Sequence, residues 1–176
     1  MSQPGMRWPV PIFSALALLV ACVPAQALEV GVRIGTNLRG AQGVDSQEVY
    51  VRAPLPYAVG QPQGWHLRSY LEANAGRLVT GADSLAYGGV AGALWLNIPA
   101  SPLSLGAGTG PTYLSQATLG HRDFGGHWQF TSHAVVRLAF TPAVSLAYRV
   151  QHTSNADRYS PNDGIDIHAV ELRLRF

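Results

Sequence analysis

Residues 170–176, Val-Glu-Leu-Arg-Leu-Arg-Phe, alternate strictly between apolar and charged side chains until the final aromatic residue. Successive side chains of a β-strand point to opposite faces, so this segment has one apolar face and one charged face. An amphipathic helix would instead repeat its apolar residues every three or four positions. The segment therefore predicts a β-strand that meets an apolar medium on one side and carries glutamate and arginine on the other.

The same alternation recurs along the chain in about eight segments of roughly ten residues each, separated by turns that contain Gly, Pro or Asp. An eight-stranded barrel has a lumen that side chains can fill, so we expect the charged face to form an ion-pair network inside. The predicted strands are 28–38, 47–55, 65–78, 85–96, 103–114, 127–140, 143–155 and 167–176. The charged face holds Glu29, Arg33, Glu48, Arg52, Arg68, Glu72, Arg137, Arg149, Glu171, Arg173 and Arg175.

The composition favours a membrane barrel over its main alternative, a small soluble β-domain. Charged residues make up 12% of the chain, about half of the ~25% that is usual for soluble domains. No apolar run after residue 28 approaches the ~20 residues of a membrane helix. The net charge of +2 is too small to indicate a nucleic-acid partner. We therefore predict an all-β, eight-stranded antiparallel transmembrane β-barrel over residues 28–176.

The ends of the predicted strands suggest an orientation in the membrane. The terminal Phe176 after an alternating strand resembles the C-terminal signature of bacterial outer-membrane barrels. Short turns at 97–102 and 141–142 would then face the periplasm, and the longer segments 115–126 and 156–165 would face outward. The long turn expected at 56–64 fits this rule less well. Two aromatic girdles are expected from Tyr50, Tyr57, Trp65, Trp95, Tyr113, Trp128, Phe140, Tyr159 and Phe176.

The N-terminal residues 1–27 have the pattern of a signal peptide. Arg7 precedes an apolar run from Ile12 to Val23, and the residues Ala25-Gln26-Ala27 fit a small-x-small cleavage site. The alternative is a lipoprotein signal, in which Cys22 would become the lipidated first residue. In both cases the barrel contains no cysteine, because Cys22 is the only one in the chain.

A candidate catalytic group lies at the end of the seventh predicted strand. His152 and Ser154 share a face of that strand, about 6.5–7 Å apart along the backbone. Asp166 returns beside His152 if the chain reverses between them, which would supply a nucleophile, a base and an orienting acid. All three residues continue the apolar rows, so the group should lie on the outer wall. The alternative is that the strand ends become polar merely because they leave the apolar belt.

The residues His152-x-Ser154-Asn155-Ala156, followed by Pro161-Asn162-x-Gly164-Ile165, resemble the lipid A 3-O-deacylase family of the PagL type. The resemblance implies an outer-membrane serine esterase that removes the 3-linked hydroxyacyl chain of lipid A in the outer leaflet. By position, Ser154 would be the nucleophile, His152 the general base and Asp166 the orienting acid. Asn162 would be an oxyanion donor, with Asn155 in a supporting role. The family has Glu where this chain has Asp166, and Asp157 and Asp163 are lesser alternatives for the acid.

The expected substrate is lipopolysaccharide, through its lipid A part, and no cofactor or metal is required. His121 and His127 flank an outer loop, where a metal site is the less favoured interpretation. The sequence leaves a homodimer open. The alternative function is that of a non-catalytic small outer-membrane barrel with a structural or adhesive role.

Overall fold

The computed structural model describes residues 28–40 and 43–176. The predicted signal peptide and Cys22 lie outside the described residues. Within the described ranges, no helix has the length and apolar character needed to cross a membrane.

Eight long strands form a closed barrel in which every neighbouring pair is antiparallel. In chain order they are β1 (Glu29–Asn37), β2 (Asp45–Gly60), β3 (His66–Thr80), β4 (Asp83–Asn97), β5 (Leu103–Leu114), β8 (Trp128–Ala139), β9 (Val144–Ser154) and β10 (Ile165–Arg175). Two short strands, β6 (Thr118–Leu119) and β7 (Arg122–Asp123), form a separate hairpin between β5 and β8. The closure of β1 on β10 confirms the predicted eight-stranded antiparallel barrel.

Two connections differ from the sequence-based expectation. β2 continues to Gly60 through an irregularity between Pro54 and Ala58, so the long turn expected at 56–64 is wrong and the turn is short. Proline cannot donate a ladder hydrogen bond, and a bulge accommodates it within a strand. The segment 115–126, expected to be a loop, contains the β6–β7 hairpin.

The two ends of the barrel differ in the length of their connections. We call the end that carries the segment after Asn37, the β6–β7 hairpin and the segment 155–164 the loop end. The other end, the terminal end, carries Leu28, Phe176 and the short turns 61–65, 98–102 and 140–143. Short connections at one end and long ones at the other match the rule for outer-membrane barrels, which places the long connections outside.

The barrel interior holds a cross-linked set of charged side chains, which we call the interior belt. Glu72 contacts Arg33 at 2.8 Å, Arg52 at 2.7 Å and Arg149 at 3.2 Å, and Glu171 contacts Arg33 at 2.7 Å. Each of these side chains is at most 2% exposed, so the charges depend on one another for compensation. The interior belt consists of Glu29, Arg33, Glu48, Arg52, Glu72, Arg137, Arg149, Glu171 and Arg173.

Two predicted members of the interior network, Arg68 and Arg175, lie on the inward face, opposite Trp95 and Glu29 in the ladders, but near the terminal end. There Arg68 is half-buried and Arg175 is exposed, and neither forms an ion pair within the described residues. Two aromatic residues expected in the girdles also lie inside. Tyr50 donates to Glu171 at 2.6 Å, and the Trp95 ring lies between the guanidinium groups of Arg52 and Arg137, at 4.6 and 4.3 Å. Strand parity turns both rings inward, where they pack against the arginines.

Apolar side chains close the loop end of the lumen. Phe124, which follows the β6–β7 hairpin, is fully buried and packs over the ends of the strands. Its neighbours in this cluster are Val44, Leu78, Leu85, Tyr87, Leu114, Leu119, Ile165 and Ile167. The lumen is therefore filled, and the surface that remains for chemistry is the outer wall and the loop end. Outside, the wall exposes rows of Val, Leu and Ile, such as Val32, Val170 and Leu172, as a lipid-facing barrel requires.

Candidate active site

His152 and Asp166 form a hydrogen-bonded pair on the outer wall near the loop end. The two residues lie directly opposite each other in the β9–β10 ladder, and His152 Nδ1 lies 2.8 Å from Asp166 Oδ1. An ionised carboxylate can only accept a hydrogen bond, so Nδ1 carries the proton and Nε2 is left as a base. The side chains are 56% and 39% exposed, which makes this the one ion pair of the described residues that lies on the wall instead of in the interior.

Ser154 ends β9 on the same face as His152, two residues further along. Among the described residues, no hydrogen bond joins its hydroxyl to the His152 ring. Such contacts are often long before substrate binds, and the serine has no other side-chain partner in this part of the chain. The structure therefore brings the base and the acid together and leaves the serine beside them.

Gly164 fits against both His152 and Ser154. A Cβ at this position would lie 3.4 Å from His152 Cε1 and 3.5 Å from Ser154 Cβ, so both side chains border the same point in space. Its φ of +53° is also a left-handed conformation that glycine adopts without cost. The glycine of the sequence motif therefore returns the chain to β10 so that Asp166 meets His152.

Asn155, directly after the candidate nucleophile, fastens the following segment. Its side chain is fully buried, and Nδ2 donates to the carbonyl oxygens of Phe124, Tyr159 and Pro161 at 2.9, 3.0 and 3.2 Å. These contacts tie the segment 155–164 to the residue that follows the β6–β7 hairpin. The Asn155 side chain is thus engaged in the loop and does not face the wall.

The next two residues form a left-handed turn. Ala156 and Asp157 have φ angles of +54° and +58°, and the Arg158 amide closes the turn on the Asn155 carbonyl at 3.2 Å. For residues other than glycine this conformation costs about 1–2 kcal/mol each. Asn162 stabilises the turn, because its Oδ1 accepts from the Asn155 amide at 3.1 Å and its Nδ2 donates to Asp157 at 2.9 Å. A side-chain amide has two N–H donors, so one of them remains beyond the contact with Asp157.

The two alternative acids do not contact the imidazole. Asp157 accepts from Asn162, and Asp163 Oδ2 accepts from the Asp123 amide at 2.7 Å. No hydrogen bond or ion pair between His152 and either residue occurs in the described part of the chain. Asp166 is the carboxylate that the fold places beside the histidine.

A shallow groove in the wall leads from the membrane side to the pair. It has a volume of about 310 Å³, and its lining includes Leu38, Ser132, Ala134, Val150, His152 and Asp166. The side chains below the pair are small or apolar, and Ser132 faces His152 across the β8–β9 ladder. The groove therefore offers an apolar surface directly beneath the polar pair.

The other outward histidines make structural contacts. His127 Nδ1 lies 2.8 Å from the Leu114 carbonyl, and its ring stacks on Tyr113. His168, two residues after Asp166 on the outer wall, lies 3.2 Å from the Tyr148 hydroxyl. Within the described ranges, no group of three or more His, Cys, Asp or Glu side chains could hold a metal ion.

Sequence reasoning missed the contributions of the β6–β7 hairpin to this end of the barrel. Arg122 donates from Nη1 to the Gly164 carbonyl at 2.8 Å and from Nη2 to the Arg39 carbonyl at 3.1 Å. The only signal in the sequence was an arginine and a phenylalanine, Arg122 and Phe124, in a segment expected to be a polar loop. Neither residue shows by itself that it contacts a segment 42 residues away, for Arg122, or 31 residues away, for Phe124.

Comparison with solved structures supports the fold. The crystal structure of the outer membrane enzyme PagL superposes with a TM-score of 0.74 at 19% sequence identity, over 84% of this chain and 99% of that one. The NanC porin and an outer membrane channel from Pseudomonas putida F1 each give a TM-score of 0.34. Their identities are 9% and 8%, over 87% and 88% of this chain and 95% and 97% of theirs. This likeness is too low to bear on the site.

No curated protein sequence matches the chain. The family model described as lipid A 3-O-deacylase (PagL) matches residues 46–175, which include seven of the eight barrel strands and the whole candidate site. The chain therefore belongs to the lipid A 3-O-deacylase (PagL) family.

Proposed function

We propose that Ser154, His152 and Asp166 are the nucleophile, base and orienting acid with which this outer-membrane enzyme hydrolyses its substrate. Family membership makes the protein a lipid A 3-O-deacylase of the Gram-negative outer membrane. The observation that carries the triad is the 2.8 Å contact between His152 Nδ1 and Asp166 on the outer wall. The other ion pairs of the described residues are enclosed in the barrel interior. This pair is instead half-exposed on an outer wall whose other side chains are mostly apolar.

The proposed reaction is acyl transfer to serine and then to water. His152 Nε2 takes the proton of the Ser154 hydroxyl while Oγ attacks the ester carbonyl of the 3-linked hydroxyacyl chain. Collapse of the tetrahedral intermediate breaks the bond to the sugar oxygen, which receives the proton from the imidazolium. Water, deprotonated by the same imidazole, then releases the hydroxy acid and restores the serine. Asp166 holds the ring in the tautomer that makes Nε2 the base.

The position of the site on the wall indicates how the substrate arrives. The groove below the pair contains Ala134 and Val150, and it opens toward the lipid-facing rows. An acyl chain can therefore stay in an apolar environment while its ester reaches Ser154. The sugar would lie above, at the loop end, where the polar connections begin. A lipid substrate does not need to enter the lumen, which is filled.

The oxyanion donor is proposed to be Asn162, through the N–H that the contact with Asp157 leaves over. Asn155 supports the site by clamping the segment 155–164, since its own amide donates to three carbonyl groups. Both asparagines and the three residues of the proposed triad belong to one chain. The proposed chemistry therefore does not require the homodimer that the sequence leaves open.

The test is mass spectrometry of lipid A from cells that express Ser154→Ala. We expect lipid A to keep the 3-linked chain, while the variant still shows the electrophoretic shift on heating that marks a folded barrel. Ser132→Ala is the matched control, because Ser132 is the serine opposite His152 on β8 and its hydroxyl already contacts Thr109 at 2.9 Å. Full activity in Ser154→Ala would refute the proposal, and loss in Ser132→Ala alone would move the nucleophile to that residue. Absence of any lipid A change with the unmodified protein would favour the non-catalytic barrel.

A further inference from the structure

A second cleft lies on the loop-end side of the catalytic pair, away from the lipid-facing groove. It has a volume of about 260 Å³, and it is lined by Arg39, Gly40, Arg122, His152, Asp163 and Asp166, among others. His152 and Asp166 therefore stand between an apolar groove below and a cleft with two guanidinium groups above. This arrangement matches an ester whose acyl chain points down and whose polar part points up.

The arginines of this cleft differ from those inside the barrel. Each arginine of the interior belt pairs with at least one glutamate. Among the described residues, Arg122 instead donates only to the carbonyl oxygens of Gly164 and Arg39, and its buried Nε has no acceptor there. No ion pair to either Arg39 or Arg122 occurs within residues 28–40 and 43–176. The cleft thus holds two guanidinium groups that no carboxylate of this part of the chain contacts as an ion-pair partner.

The carboxylates that line the cleft are already engaged. Asp166 is paired with His152, and Asp163 Oδ2 receives the Asp123 amide. Together the two carboxylates balance the formal charge of the two guanidinium groups, but neither occupies the guanidinium N–H donors. Arginine matches phosphate oxygens with two parallel N–H donors, and it does so better than lysine. An anion in this cleft would lie next to the reacting ester.

We infer that Arg39 and Arg122 bind the phosphate carried by the same glucosamine whose 3-linked ester is hydrolysed. This inference rests on the proposed triad. Lipid A is a phosphorylated glucosamine disaccharide, and a phosphate on the same sugar lies within one ring of the 3-oxygen. Because both the catalytic pair and the arginines border one cleft, the phosphate of this sugar fits better than that of the other sugar. Arg122 also positions Gly164 through the carbonyl contact, whereas the Arg39 side chain makes no hydrogen bond or ion pair within residues 28–40 and 43–176.

The experiment compares purified protein acting on lipid A with both phosphates and on lipid A that lacks one phosphate or the other. We expect removal of the phosphate on the reacting sugar to raise KM at least tenfold, with kcat little changed, and removal of the other phosphate to have less effect. Arg39→Gln should raise KM for the intact substrate by a similar factor and abolish the preference. Arg39→Lys should keep part of the preference for the substrate that carries this phosphate. Arg77→Gln is the control, because Arg77 is exposed on the outer wall and contacts only Gln47.

The outcomes separate this inference from the triad. If Arg39→Gln lowers activity equally on intact and dephosphorylated substrates, or if Arg77→Gln has the same effect, the phosphate site is refuted and the triad stands. If the phosphate of the other sugar controls KM, the assignment to the reacting sugar is wrong. Failure of the triad appears instead as full activity in Ser154→Ala with the intact substrate.

Discussion

The interior belt and the wall site place charged pairs in opposite surroundings. Inside, Glu72 contacts three arginines and each partner is at most 2% exposed. On the wall, Asp166 has one partner, His152, and the two side chains are 39% and 56% exposed. Enclosed charges depend on their partners, because removing one partner leaves the other buried and uncompensated. A pair whose second imidazole nitrogen has no partner can instead take part in proton transfer. The enclosed belt is therefore assigned a structural role, and the half-exposed pair on the wall is the proposed catalytic one.

His152→Ala is expected to distinguish most clearly between the effects of the two regions on activity and on stability. Loss of the base should lower kcat by roughly 10³-fold or more, as for other members of catalytic triads. Stability should change little, because the side chain is more than half exposed. Deacylation kinetics and unfolding in denaturant measure the two effects on one preparation. A large loss of stability would show that the pair on the wall also holds the barrel together.

The reverse pattern is expected from Glu72→Gln. Removing this carboxylate charge takes from Arg149 its one glutamate partner among the described residues, while Arg33 and Arg52 keep others. The uncompensated buried charge should cost about 3–5 kcal/mol of unfolding free energy. Activity per folded molecule should stay near that of the unmodified protein. Asp45→Asn, an exposed carboxylate at the start of β2, is the control and should stay within about 0.5 kcal/mol. Equal stability of the two variants would contradict a structural role for the belt.

Asp166→Glu tests the proposed orienting acid, at the position where the family resemblance of the sequence implies Glu. The longer side chain keeps the charge and the hydrogen-bond acceptor, so we expect activity within about tenfold of the unmodified protein. Asp166→Asn keeps the size but not the charge, and it should lose far more, since the amide can impose the wrong tautomer on His152. Comparable rates in Asp166→Asn and the unmodified protein would remove Asp166 from the triad.

The smallest effect is expected at the turn after Ser154. Ala156→Gly removes a side chain from a left-handed position, and the gain of about 1–2 kcal/mol is partly offset by the entropy of glycine, about 0.5–1 kcal/mol. The net stabilisation should be at most about 1 kcal/mol in an unfolding titration. Ala139→Gly on β8, where φ is not positive, should instead destabilise the barrel by a similar amount. If both changes destabilise equally, the turn stores no strain.

The strands were predictable because each segment by itself shows the alternation of apolar and polar side chains. The interior rows that contain Glu48 and Glu171 follow from parity alone, and the apolar outer rows follow with them. The prediction failed where a local irregularity broke the pattern, as at Pro54 in β2, and at the strand ends, where Arg68 and Arg175 lie outside the enclosed lumen. Periodicity gives the face of a residue but not its depth along the barrel axis.

The candidate site was predictable to a lesser extent. The spacing of His152 and Ser154 is local, and their position on the outer wall follows from the rows that they continue. The separation of Asp166 from His152 is 14 residues, and only the register of β9 against β10 sets them 2.8 Å apart. Arg39 and Arg122 come from distant connections, and no periodicity relates them to the site. Long-range contacts of this kind depend on loop conformation, which local sequence patterns do not fix.

The sequence by itself determined the barrel, its inside-out polarity and the shared face of His152 and Ser154, because a period of two is a property of each strand alone. Only the tertiary structure decided that Asp166 meets His152, that Asn155 clamps the following segment and that two arginines border the site. These contacts require the register between strands and the packing of the β6–β7 hairpin over the loop end. Hydrogen bonds and packing between segments far apart in the chain establish both the strand register and the position of the hairpin.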